Sequence, residues 1–222
     1  MPRHARSLLL TAATAILAVG LAVPPAGAAT QTWTVEHGGL YVDLSDHGPR
    51  VTDVTDNTQI GCAGNYWAAV AFKNGTGLTS QLGDVRSIKF PSCHHSVFTH
   101  LAPLGLPWTI HGAAYDPATG VVTGQIRGIH LRLTGDSCSA VIDGTAADAD
   151  DGATRFTYAN PAEAGDAGTL TIKGPAGGDL HAYDVTGSGC GGVLNDGDLM
   201  WVYLEIGVIN YSQNAAPQVT SP

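Results

Sequence analysis

The chain has 222 residues, of which 44% are hydrophobic and only 13% are charged. This composition excludes an intrinsically disordered protein, which would have fewer apolar and more charged residues. The formal net charge of −9 argues against a sequence-independent nucleic-acid binder, because such a protein needs a basic surface.

The first 28 residues have the layout of a secretory signal peptide. Arg3 and Arg6 give a positively charged start, residues 7–23 form an uncharged apolar run, and residues 26–28 are small. The run is shorter than the roughly 20 residues that a membrane-spanning helix needs. We therefore expect cleavage at the end of this segment, export by the general secretory route, and a secreted protein with no membrane span after cleavage.

After this leader the sequence predicts an all-β domain over residues 29–213 and a flexible polar tail over residues 214–222. Short runs of alternating apolar and polar residues are separated by clusters of Gly, Asp, Asn and Pro. No run has the 3.6-residue period of an amphipathic helix. We expect a single antiparallel β-sandwich of about ten strands, with a partly open β-barrel as the alternative.

The four cysteines, Cys62, Cys93, Cys138 and Cys190, all follow the leader. In an exported protein an even number of cysteines predicts disulfides, and four allow three pairings. The shorter loops favour Cys62–Cys93 and Cys138–Cys190. Zinc binding by Cys93 and the two histidines that follow it is disfavoured, because adjacent residues of an extended chain point to opposite faces.

The clearest hairpin spans residues 106–133, where two alternating runs flank a turn over residues 116–120. The apolar phase of the second run then slips, because Ile126 and Ile129 are three residues apart. A strand with a period of two cannot keep both side chains inside without one extra residue. We therefore predict a β-bulge at Gly128 that bends one long strand so that it serves two sheets.

The second half of the chain contains the segments 104–108, 138–145 and 180–185, which begin with Leu104, Cys138 and Leu180. In these segments the chain resembles a group of exported all-β proteins from actinobacteria, over roughly residues 104–200. The resemblance implies export, the β class and the pairing of Cys138 with Cys190. It brings no activity, substrate or ligand, so it assigns no functional residue.

The long closing strand over residues 199–210 has one apolar face and one amphipathic face. The amphipathic face carries Trp201, Tyr203 and Glu205. Aromatic rings with polar tips suit a sugar ligand, so these three residues are the candidate ligand-binding site. A hydrolase would need a second carboxyl group in a cleft with Glu205; the sequence singles out no such partner and no catalytic residue.

Calcium is the one metal that the composition suggests, because it prefers oxygen ligands. Clustered oxygen donors occur at Asp148, Asp150 and Asp151 and again over residues 195–198, both in predicted loops. The first cluster lacks the glycine position and the final glutamate of an EF-hand loop. We therefore expect solvated acidic turns and no cofactor, with Asp148, Asp150 and Asp151 as the candidates should calcium bind.

The sequence leaves two hypotheses of different classes. The first is an exported, non-catalytic β-domain that binds a surface partner, which could be a cell-envelope glycan, a protein or a small ligand. The alternative is a secreted hydrolase with an unrecognised site near Glu205. The two differ in geometry, because an enzyme needs a concave site with titratable groups, whereas a binding module can use an open platform of aromatic and polar side chains.

Overall fold

The computed structural model describes residues 31–45, 48–174, 178–210 and 214–222. The predicted signal peptide over residues 1–28 lies outside this described part. The described residues form sixteen strands and no helix, which confirms the all-β class. None of them therefore belongs to a helix that could cross a membrane.

The strands are mostly short and follow one another closely along the chain. They are β1 (Trp33–Glu36), β2 (Leu40–Ser45), β3 (Arg50–Asp53), β4 (Thr58–Gly61), β5 (Tyr66–Phe72), β6 (Gly75–Leu78), β7 (Gln81–Lys89), β8 (His100–Gly105), β9 (Trp108–Asp116), β10 (Val121–Thr134), β11 (Ser139–Asp143), β12 (Gly152–Ala159), β13 (Gly168–Lys173), β14 (His181–Thr186), β15 (Met200–Val208) and β16 (Gln218–Thr220). There are more strands than the ten or so predicted, mainly because strands of three or four residues are too short to show an alternating pattern in the sequence.

Thirteen strands belong to one antiparallel sheet, whose main path runs β2-β5-β7-β9-β10-β12-β13-β15-β3-β4. Strands β8, β11 and β14 branch from this path at β10, and β16-β1-β6 form a second, small sheet. The backbone N–H of Gly207 in β15 donates a hydrogen bond to Asp43 Oδ2 in β2 at 2.7 Å. The main path therefore curls until its first strand lies beside its eighth, which gives the predicted sandwich-like arrangement.

The core lies inside this curl and is made of the side chains that alternate inward from each strand. The pattern is clearest in β15, where every second residue is buried. Phe72 of β5 and Tyr158 of β12 meet there with ring centroids 5.1 Å apart. Because these two strands lie on opposite sides of the curl, their contact closes the core, and the outward residues of the same strands are left to form the surface.

The last residues of the chain pair with its first described strand. Strand β16 is antiparallel to β1, and Val219 at its centre is fully buried. The amide of Asn160 binds both backbone groups of Val219, with distances of 2.7 and 2.8 Å. The prediction of a flexible tail over residues 214–222 is therefore wrong for β16. The polar composition misled because a single apolar residue anchors this strand.

Both predicted disulfides are confirmed. Cys62 pairs with Cys93 and Cys138 pairs with Cys190, with sequence separations of 31 and 52 residues. The first bridge joins the segment after β4 to the loop between β7 and β8. The second joins the segment before β11 to the loop after β14. Each bridge therefore adds a covalent link where backbone pairing already brings two segments together, because Cys62 and Cys93 form an isolated β-bridge and Ser139, next to Cys138, pairs with Thr186.

The bulge predicted at Gly128 is also confirmed. The register of β10 against β12 shifts between Arg127 and Ile129, and Gly128 has a φ of +77°, a conformation that glycine adopts without steric cost. Before the bulge β10 pairs with β9 and β12, and after it with β8 and β11. One strand thus serves two groups of partners, as the phase slip indicated.

Candidate functional site

The sequence-predicted ligand residues lie on the outer side of β15. Trp201, Tyr203 and Glu205 are half-buried, and they alternate with fully buried neighbours. The Tyr203 hydroxyl donates a hydrogen bond to Glu205 Oε2 at 2.9 Å. The guanidinium carbon of Arg50, on β3, lies 5.6 Å from the centre of the Tyr203 ring. The three predicted residues therefore belong to an open sheet face, and Arg50 joins them there.

The environment of Tyr203 keeps its hydroxyl protonated. Burial raises the pKa of Tyr203, and the hydrogen bond to Glu205 and the charge of Glu205 raise it further, while the charge of Arg50 opposes this rise. The phenol is therefore a neutral hydrogen-bond donor at physiological pH. Its ring is held between Arg50 and Glu205, so it presents a fixed aromatic surface.

The same face carries a line of side chains that crosses the strands, here called the cross-strand row. The strand registers pair Gln125 with His111 and with Arg155, and Tyr203 with Lys173 and with Arg50. The register of β12 with β13, continued by one residue, places Arg155 opposite Lys173. In strand order, the row consists of His111, Gln125, Arg155, Lys173, Tyr203 and Arg50.

Two grooves lie along this row. The larger, of about 550 Å³, is lined by residues of β9, β10, β12 and β13 that include Gln125, Arg155 and Lys173. The smaller, of about 270 Å³, is lined by residues of β3, β4, β13 and β15 that include Arg50, Lys173 and Trp201. Lys173 borders both grooves, so they adjoin each other along the row and are here called the track.

The track is positively charged although the protein is acidic. Outside the leader the chain has eight Lys and Arg residues, and four of them lie on this face: Arg50, Arg127, Arg155 and Lys173. Arg155 and Lys173 are exposed and form no ion pair with any described residue. Like charges on directly opposed residues of a sheet are unfavourable, so this pair is an arrangement that an anionic ligand would stabilise.

The remaining polar groups of the face are neutral or already bound. Burial, and then the charges of Arg127 and Lys73, lower the pKa of His111, so its ring is uncharged at neutral pH. Gln125 Oε1 accepts hydrogen bonds from the Arg127 side chain at 3.0 and 3.2 Å. Of the acidic groups, Asp84 pairs with Arg86, and Glu205 accepts the hydrogen bond of Tyr203. Arg155 and Lys173 therefore have no acidic partner among the described residues.

Glu205 itself lies outside both grooves. A second carboxylate is present nearby, because Asp43 accepts a hydrogen bond from the backbone of Gly207, two residues along β15. That carboxylate links β2 to β15, and Glu205 is bound to Tyr203. Both groups thus have structural partners, and the hydrolase alternative stays a prediction.

The calcium candidates lie in a loop that is organised by a different residue. Asp148, Asp150 and Asp151 are all exposed. Asp151 accepts hydrogen bonds from Thr145, which lower the pKa of this carboxyl group. The centre of the loop is Asp143, which is fully buried and accepts hydrogen bonds from four backbone N–H groups, those of Gly144, Asp150, Asp151 and Gly152.

His130 bridges two of these aspartates. Its Nδ1 lies 2.5 Å from Asp150 Oδ1, and its Nε2 lies 4.0 Å from Asp143 Oδ2. A histidine beside a carboxylate resembles the base of a nucleophilic hydrolase, but that role needs a ring nitrogen facing the substrate. His130 Nε2 is buried and faces Asp143. This arrangement therefore fastens the loop to β10.

Sequence reasoning missed most of the face because its members belong to separate strands. Arg50, Arg155 and Lys173 stand in short alternating runs that show only which side of each strand faces outward. Of the four tryptophans, Trp33 and Trp108 are buried in the core, so they take no part in a surface site. The sequence shows which residues of each strand point outward, but it does not show in which register neighbouring strands pair.

Comparison with known proteins assigns no function to this face. The chain matches no family model, no curated protein and no solved structure. The candidate site therefore rests on the geometry and charge described above. The resemblance to exported actinobacterial proteins stays a prediction.

Proposed function

We propose that the protein is an exported, non-catalytic β-domain that binds an acidic glycan chain along the cross-strand row. The observation that carries this proposal is that Arg155 and Lys173, which are exposed and form no ion pair with a described residue, stand beside aromatic rings along two adjoining grooves. Export is supported by the leader sequence and by the two disulfides, which persist in oxidising compartments.

The dimensions of the row suit an extended polymer. It crosses six neighbouring strands, from β9 to β3, and spacings of about 4.8 Å between strands give a length of about 24 Å. A small ligand would occupy only part of this track. The row also lies on paired strands, so the spacing of its residues along the sheet is fixed before the ligand arrives, which lowers part of the entropic cost of binding.

The chemistry of the row favours a sugar polymer that carries carboxylate groups. Arg155 and Lys173 would pair with the carboxylates, and charge-assisted hydrogen bonds of this kind are stronger than neutral ones. Trp201 and Tyr203 offer aromatic surface with polar tips for the sugar rings. A nucleic-acid duplex carries about one negative charge per 1.7 Å. The protein, whose full chain has a net charge of −9, would repel such a dense charge more strongly than it repels a more sparsely charged glycan.

The proposal is tested by binding to polygalacturonate, a polymer of an acidic sugar, with neutral dextran and single-stranded DNA as comparison polymers. We expect binding to polygalacturonate only. The double variant Arg155→Ala, Lys173→Ala should weaken this binding by at least about tenfold, or about 1.4 kcal/mol, because it removes the central charge of the row. Calorimetric titration of the mature protein measures both effects.

A matched variant separates the row from general charge. Lys89→Ala with Arg132→Ala also removes two exposed cations, but from outside the row. It should bind polygalacturonate like the wild type. Three results would each overturn the proposal. They are equal weakening in both double variants, binding of the wild type to single-stranded DNA more tightly than to polygalacturonate, and no binding of the wild type to polygalacturonate.

A further inference from the structure

A second cluster of charged groups lies where the β3–β4 turn meets the segment before β15. Asp53 is fully buried, Asp198 is 7% exposed, and Asp56 is exposed. Each of the three offers one carboxylate oxygen, and these oxygens lie within 4.8 Å of one another. No Lys, Arg or His in the described part of the chain forms an ion pair with any of them.

The hydrogen bonds of the cluster leave one buried oxygen without a partner. Asp53 Oδ1 accepts from the backbone N–H groups of Thr55 and Asp56, at 2.8 and 3.3 Å. Asp53 Oδ2 is buried and has no hydrogen-bond partner among the described residues. A buried carboxylate without a cationic partner is strongly unfavourable, and two neighbouring carboxylates increase this cost. While these carboxylates are ionised, the cluster therefore needs a positive charge that the described part of the chain does not supply.

We propose that Asp53, Asp56 and Asp198 form a calcium-binding site that joins the β3–β4 turn to the segment before β15. Calcium binds oxygen ligands at 2.3–2.6 Å, so a single ion can contact atoms that lie up to about 4.8 Å apart. Zinc favours nitrogen and sulfur ligands, and the cluster has neither. Magnesium keeps more of its water and demands a stricter geometry, which suits two buried carboxylates less well.

The surrounding backbone holds the three ligands in place. Val54 N–H donates to the Leu199 carbonyl at 2.8 Å, and Leu199 N–H donates to Thr55 Oγ1 at 3.2 Å. Asp198 Oδ2 accepts from both the backbone and the side chain of Asn195. The turn and the segment therefore meet before any ion binds. Asp56 lies on the solvent side, where water can complete the coordination of the ion.

The test is thermal unfolding of the mature protein after treatment with EDTA, with and without calcium. At a calcium concentration about 100 times the Kd, we expect the Tm to rise by about 5 to 10 °C, with one ion bound per chain by calorimetry. Magnesium should give a clearly smaller rise. No rise with calcium, or an equal rise with magnesium, would overturn the proposal.

Variants locate the effect. Asp53→Asn and Asp198→Asn should abolish the calcium-dependent rise in Tm, whereas Asp136→Asn, which removes an exposed charge elsewhere, should keep it. Asp56→Asn changes only an exposed ligand, so it should fold and should weaken calcium binding by at least about tenfold. Full calcium binding in Asp56→Asn would contradict the site even if the buried variants failed to fold.

The competing explanation is a proton held between the carboxylates. Burial raises the pKa of Asp53, and the charges of Asp198 and Asp56 add to this rise, although backbone hydrogen bonds oppose it. In that case Asp53→Asn would replace a neutral group with a neutral group. Its Tm would then equal that of the wild type, and calcium would have no effect on either protein, which would overturn the calcium site.

Discussion

Replacing Asp143 with alanine is expected to lower the free energy of unfolding by about 3 to 5 kcal/mol. The Asp143 carboxylate is fully buried and accepts four backbone N–H groups, with distances between 2.7 and 3.1 Å. Alanine would leave these donors buried without partners, and each unsatisfied buried donor costs about 1 to 3 kcal/mol. Water would reach some of them as the loop opens, so the total is less than the full sum. Urea unfolding followed by tryptophan fluorescence measures the loss.

A control for this variant lies in the same loop. Asp148 is exposed, and Asp148→Ala removes the same charge and the same atoms from the surface. Its effect should stay within about 0.5 kcal/mol of the wild type. If Asp143→Ala were as mild as Asp148→Ala, the loop would not depend on the buried carboxylate.

Removing the second disulfide is the other large effect that we expect. The double variant Cys138→Ala, Cys190→Ala should lose about 4 kcal/mol of stability, the value that loop-closure entropy gives for a bridge of this span. The bridge joins residues that are 52 positions apart. Thermal or urea unfolding of the oxidised wild type and the variant measures the difference.

The first disulfide provides the matched comparison. Cys62 and Cys93 are 31 positions apart, and loop entropy depends only on the logarithm of the span. Cys62→Ala with Cys93→Ala should therefore cost nearly as much, within about 0.5 kcal/mol. If either bridge could be removed without loss, loop-closure entropy would not be the source of its stabilisation.

The features that the sequence predicted are those that depend on neighbouring residues. The alternation along each strand gives the β class and the buried face of β15. The phase slip between Ile126 and Ile129 gives the bulge at Gly128. The two disulfides follow from the short loops that they close. In each case the information lies within one strand or in simple spacing.

The features that the sequence did not predict depend on pairing between strands that are far apart along the chain. Strand β16 is polar but pairs with β1 from the other end of the chain. Asp53 and Asp198 meet only because Asp53 pairs with Met200, which places the end of β3 beside the start of β15. The sequence placed Asp198 in an acidic turn, but nothing local connects that turn with Asp53.

The candidate binding face shows the same division. Trp201, Tyr203 and Glu205 stand on one strand, so their shared face could be predicted from alternation. The cross-strand row runs at right angles to the strands, and its order depends on the register of six of them. Arg155 and Lys173 become neighbours only through the register of β12 with β13, which no periodic pattern contains.

The most direct measurement is a titration of the isotope-labelled mature protein with a polygalacturonate oligosaccharide, followed by amide chemical shifts. We predict that the perturbed amides follow the cross-strand row, with the largest shifts around Gln125, Arg155, Lys173 and Tyr203. The loop between β11 and β12 that Asp143 organises, here called the Asp143 loop, should change little. Shifts that centre on the Asp143 loop, or on the small sheet of β1, β6 and β16, would contradict the assignment of this face as the binding site.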